Sequence, residues 1–141
     1  MKHTVAVGCF LTVCAAFAAA GQRDGQKSPP AFLIDSLAGQ DSFSFYCAPC
    51  HGRSGKGDGP VGAALKTTPP DLTVLSRRNG GTFPRADVVS FVTGTARTLP
   101  AHGSSDMPVW GPIFRSLDPS DTRTKIRIEN IVAFVESLQV K

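Results

Sequence analysis

Apolar residues in this chain form one uninterrupted N-terminal run and three helix-spaced stretches, joined by segments rich in glycine and proline. The run spans Thr4 to Ala20, follows Lys2 and His3, and closes in Ala18-Ala19-Ala20 before Gly21. That is the layout of a signal peptide with small residues at its cleavage site. It is at the short end for a membrane span and contains Thr4, Gly8 and Thr12, so residues 1–20 are expected to be removed, with an uncleaved anchor as the alternative. A lipid-modified Cys9 or Cys14 fits worse. Val13 is bulky for the position before a modified cysteine, and almost no apolar stretch precedes Cys9.

After the leader, residues 21–31 are polar with Gly, Lys and Pro and are expected to be a flexible linker, with a single domain over 32–141. From Leu37 to Cys50, Gly39, Phe43, Tyr46 and Cys47 recur at helical spacing and predict a helix with one face toward a core. Gly52 to Pro60 is a glycine-rich loop, Ala63 to Lys66 predicts a short helical turn, and Pro69-Pro70 forces an extended path. A second helix is expected from Arg85 to Thr93, where Val88, Val89, Phe91 and Val92 are apolar and Gly94 is a C-terminal stop. The third is expected from Arg123 to Gln139. There Ile128, Ile131, Phe134, Val135 and Leu138 form one stripe, and Arg127, Glu129, Glu136 and Gln139 fall off it. No convincing strand pattern and no internal repeat occurs, so the fold class is all-α.

Composition narrows the function classes. The formal net charge is +4 with the basic residues spread out, which permits docking on acidic protein partners and gives no basic stripe for nucleic acid. Arg77-Arg78 is the one basic pair and is expected to be a solvated turn. About 120 residues remain after the leader, enough for one domain with a limited core of its own.

The chemistry is concentrated in Cys47-Ala48-Pro49-Cys50-His51. Cys-x-x-Cys-His is the pattern of covalent haem attachment. Two thiols one helical turn apart add to the two porphyrin vinyl groups, and the following imidazole is tethered close enough to be an axial iron ligand. A zinc half-site would need two further ligands at metal-site spacing. A redox dithiol would follow a strand in a βαβ unit. Neither context is present. Because Cys9 and Cys14 leave with the leader, the remaining pair is committed to haem and no structural disulfide is expected. A second axial ligand can come from Met107 or His102, since Met1 and His3 also leave with the leader.

These features together resemble class I c-type cytochromes, in particular small bacterial monohaem ones. The likeness rests on Gly39 and Phe43 ahead of the attachment motif, Phe134 on the last helix, Gly55-Lys56-Gly57-Asp58-Gly59-Pro60 after it, Pro70-Asp71-Leu72, and Asp106-Met107-Pro108-Val109-Trp110-Gly111, and it covers Phe32 to Gln139. It implies three to five helices wrapped around one covalently attached haem c. It also implies that Gly39 lets the first and last helices cross closely, and that the Pro60 carbonyl accepts a hydrogen bond from His51. The same resemblance makes Met107 the distal iron ligand and Trp110 a wall or propionate donor beside the haem. Arg85, Arg97 and Arg115 are candidates for neutralising propionates.

The function so implied is that of a periplasmic one-electron carrier, not an enzyme, working as a monomer between redox partner proteins. Two alternatives stand beside it. One is a haem subunit held in a membrane respiratory or dehydrogenase complex. The other is a peroxidase or gas-binding protein with an open iron site, which a distal Met107 argues against.

Overall fold

Helical backbone over Gly39–Ser42 (α1) widens into a π-helical turn over Phe43–Cys47 and returns to α-geometry over Ala48–His51 (α2) in the computed structural model, which describes residues 32–95 and 107–140. Pro49 accounts for the interruption. It has no N–H to give the Phe45 carbonyl, and its ring crowds that oxygen in a regular helix. The wider turn, closed by the Ala48 N–H on the Phe43 carbonyl, removes the conflict. The segment therefore starts two residues later than the sequence pattern predicts and includes His51 as its last residue.

Beyond it come a 3-10 turn at Gly62–Ala64, a second at Leu72–Val74, and a short helix Leu75–Arg78 (α3). The Leu72–Arg78 helical stretch is not foreseen by the pattern. Asp71 starts it by accepting hydrogen bonds from the Thr73 N–H at 2.8 Å and the Thr73 hydroxyl at 2.6 Å. Arg77 and Arg78 are exposed, as expected, but lie in the last turn of a helix. Helix Arg85–Thr93 (α4) has the predicted bounds and ends at Gly94, whose φ of 86° is the left-handed stop.

Trp110–Leu117 (α5) is a helix where Gly111 and Pro112 suggest a loop. Pro112 falls in its first turn, where the missing N–H has no intrahelical acceptor in any case. The last helix, Asp121–Ser137 (α6), begins ahead of the expected Arg123 because Ser120 caps it, its hydroxyl accepting from the Arg123 N–H at 3.3 Å. Thr124, Arg127, Ile128, Ile131, Val132 and Val135 form its buried stripe. One expectation is overturned here. Arg127 belongs to the buried face and is 1% exposed.

α6 is the central element, with α1, α4 and α5 packed on it and α4 also touching α5. The α1 crossing is close enough that a methyl group at Gly39 would lie 2.1 Å from the Asn130 carbonyl oxygen, and Phe43 meets Phe134 at 5.2 Å between ring centres. The apolar interior falls into two clusters. One holds Tyr46, Val92, Trp110, Phe114, Ile128, Ile131 and Val132; the other holds Phe43, Ala48 and Val135. Cys47 and Phe83 touch both. The architecture is all-α, with no strand among the described residues, and no helix among them is long and apolar enough to cross a membrane. The leader (1–20), the linker (21–31), Arg97, His102 and Lys141 lie outside the described residues.

Candidate functional site

His51 is held by the end of its own helix. The last four carbonyls of a helix lack intrahelical donors, and here each finds one in the glycine-rich loop. The Gly52 N–H reaches Ala48 at 2.8 Å, Val61 reaches Pro49 at 2.9 Å, Gly59 reaches Cys50 at 3.2 Å and Gly57 reaches His51 at 2.8 Å. The loop thus folds back over the helix end. Gly59 makes this possible, since a methyl group there would lie 2.4 Å from the Pro49 carbonyl oxygen. A further bond, from the Leu72 N–H to the Gly55 carbonyl at 2.7 Å, ties the loop to the start of the second 3-10 turn. The motif's geometry is set by backbone bonds on every side.

The imidazole it presents is buried, 9% exposed, and its Nδ1 has no hydrogen-bond partner. Burial lowers its proton affinity, because a charged ring would lose hydration without a carboxylate to replace it. The Pro70 carbonyl acts in the opposite sense and is the lesser influence. Pro60 is exposed and lies in the turn that caps the helix. A ring kept neutral has the lone pair that a metal ligand must offer.

Cys47 and Cys50 are half-buried and not joined in a disulfide. Burial, and secondarily the nearby Cys50, push the Cys47 thiol up to about 12. A redox dithiol works by the opposite shift, a thiolate stabilised near neutral pH, and the direction at Cys47 runs against it. No group of three His, Cys, Asp or Glu side chains among the described residues is placed to hold a metal ion between them. Two half-buried thiols three positions apart and the buried imidazole that follows the second, with Cys47 packed against both apolar clusters, would suit a porphyrin iron held through two vinyl-derived links and one ring nitrogen.

Met107 is half-buried against the cluster of Tyr46, Trp110 and Phe114, the cluster that Cys47 also touches. Its segment is pinned where α4 ends and α5 begins. A methyl group at Gly94 would lie 2.1 Å from Val109 Cγ1, and one at Gly111 would lie 2.9 Å from the Thr93 carbonyl oxygen. Trp110 is buried, stacks on Phe114 at 5.3 Å and 25°, and meets Tyr46 at 5.3 Å. Tyr46 in turn donates its hydroxyl to the Phe32 carbonyl and accepts from the Ile34 N–H.

Arg85 is engaged elsewhere than the candidate site, bridging Glu129 at 2.8 Å and Glu136 at 2.7 Å on α6. Arg115 is exposed in the last turn of α5. Sequence reading passes over Pro70, Phe83 and Arg127. The prolines at 69 and 70 are visible only as an extended stretch, and the influence of the Pro70 carbonyl on His51 depends on how the loop packs. Phe83 sits between a Gly-Gly pair and a proline, outside any period. No family model, no curated protein and no solved structure matches this chain.

Proposed function

We propose that this chain is a periplasmic one-electron carrier with one haem c, attached through Cys47 and Cys50 and ligated by His51 and Met107. The observation that carries the reading is the buried His51, without a hydrogen-bond partner at Nδ1, directly after the half-buried pair Cys47 and Cys50, at a helix end clamped by loop amides. The close crossing of α1 and α6 at Gly39, with Phe43 against Phe134, supports it independently, because it reproduces the packing that the resemblance to class I cytochromes implies. Once bound, the porphyrin iron supplies a one-electron couple that thioether ligation favours in the reduced form.

The chain's own residues do the rest. His51 is oriented by its helix end, and Met107 is supported by the α4–α5 junction. The aromatic cluster of Tyr46, Trp110 and Phe114 keeps water from one side. If His51 and Met107 both held the iron, oxygen and peroxide would have no open site to bind, which would leave outer-sphere exchange with protein partners. His102 is the alternative second ligand.

The test begins with attachment. Produced with a haem-maturation system, the mature chain should keep peroxidase-staining haem through a denaturing gel, and Cys50→Ala should cripple maturation. Haem that extracts from the wild type into acidified organic solvent overturns the proposal. Met107→Ala should keep covalent haem, lower the reduction potential and bind carbon monoxide rapidly in the ferrous form, since the incoming ligand then displaces only solvent. A wild type that binds carbon monoxide as fast as the variant has an open site, and the carrier reading gives way to gas binding or peroxidase chemistry.

A further inference from the structure

We propose that Arg127, a buried cation facing two aromatic rings of the cluster against which Cys47 and Met107 pack, raises the reduction potential of the haem site; this rests on the haem reading above. Arg127 is the largest fully buried side chain among the described residues. Its guanidinium donates to the Ser36 carbonyl at 2.8 Å, the Ile34 carbonyl at 2.8 Å and the Ser42 hydroxyl at 3.2 Å, and lies 5.7 Å from the ring centres of both Tyr46 and Phe114. All of these partners are neutral. They engage three of its five N–H donors and leave its charge in place. Among the described residues it makes no ion pair, and Asp118, a carboxylate close enough to feel its charge, is itself bound to Arg123 Nε at 2.7 Å and to the Ser120 N–H at 3.0 Å.

A buried charge without a counter-charge is costly, and a clamp on two carbonyls and a hydroxyl does not by itself require one. The same rings that face Arg127 belong to the cluster against which Cys47 and Met107 pack. An iron held at His51 and Met107 would therefore sense the guanidinium through tightly packed aromatic side chains, where charge is poorly screened by water or salt. Oxidation adds one positive charge to the iron. The fixed cation opposes that step and favours the reduced form, and the shift must persist at high ionic strength.

The experiment is an equilibrium redox titration of the full-chain holoprotein, followed by its visible spectrum at low and high salt. Arg127→Gln should have a lower midpoint potential than the wild type at both salt concentrations, while Arg127→Lys, which keeps the charge, should stay near the wild-type value. An Arg127→Gln protein with an unchanged haem spectrum and an unchanged potential overturns the proposal and leaves Arg127 a structural clamp, which would lower the melting temperature alone. If Arg127→Gln gives no holoprotein, Ser42→Asp decides, because it retains the arginine and sets a carboxylate beside it. A lowered potential then supports the proposal and an unmoved one overturns it. A wild type without covalent haem removes the parent reading and this one together, whereas covalent haem with an unmoved potential removes this one alone.

Discussion

Position 39 is a glycine because α6 leaves no room for a side chain. The added methyl group of Gly39→Ala would lie 2.1 Å from the Asn130 carbonyl and 3.0 Å from Phe134 Cβ, and backbone rather than a flexible side chain must yield. Overpacking of this kind costs about 1–3 kcal/mol. Denaturant unfolding of the holoprotein should show that loss with an unchanged slope. A variant as stable as the wild type would mean the crossing is looser than described. Gly39 and Phe43 are legible in the sequence because their spacing alone puts them on one helical face. Arg127 is not, because sorting residues by polarity assigns every arginine to solvent. What overrides the sorting is a set of neutral acceptors supplied by a distant segment, at Ile34, Ser36 and Ser42.

At the scale of elements, the junction of α5 and α6 is held by short polar bonds. Ser120→Ala removes the α6 cap and should cost about 1 kcal/mol, measured by thermal unfolding. Asp118 is coupled to the same junction. The Ser120 N–H first, and the Arg123 side chain second, hold its carboxyl below the ordinary 3.8. The unfolded chain therefore binds more protons than the folded one as the pH falls through this region, and the contribution of Asp118 is complete above the ordinary value and lost as the pH drops through the depressed folded one. Asp118→Asn should be less stable than the wild type at neutral pH, by about 1 kcal/mol or less for a partly exposed ion pair, and the gap should close at strongly acid pH. A gap that is constant with pH would sink this account. α5 itself escapes sequence reading because Gly111 and Pro112 are loop residues by habit, and only their place in a first turn makes them harmless.

For the whole molecule, the division of the apolar interior into two clusters joined by Cys47 and Phe83 sets an expectation about folding. A small domain has little core to spare, and the joining residue Cys47 is one of the two thiols proposed to bind haem. The haem-free chain is therefore expected to be largely unfolded, since a group that binds only the native state contributes its binding free energy to folding. Far-UV circular dichroism and amide dispersion should be weak for the haem-free chain and native for the holoprotein. A cooperative, native-like apo state would count against this.

By itself the sequence determined the helical class, the bounds of α4, the Ile128, Ile131 and Val135 part of the α6 stripe and the Cys-x-x-Cys-His motif, because these depend on residues within one or two turns of each other. Periodicity, a glycine stop and a five-residue motif are local quantities. Tertiary structure alone decided that loop amides close on the helix end at His51, that α5 is a helix, that Arg85 is bound to two glutamates, and that Arg127 is inside. Each of those depends on a partner far along the chain: a loop folded back on a helix end, Thr93 against Gly111, α6 carboxylates beside α4, or carbonyls some ninety residues upstream. Such partners are brought together by packing, and pairings that packing selects leave no spacing in the sequence from which to read them.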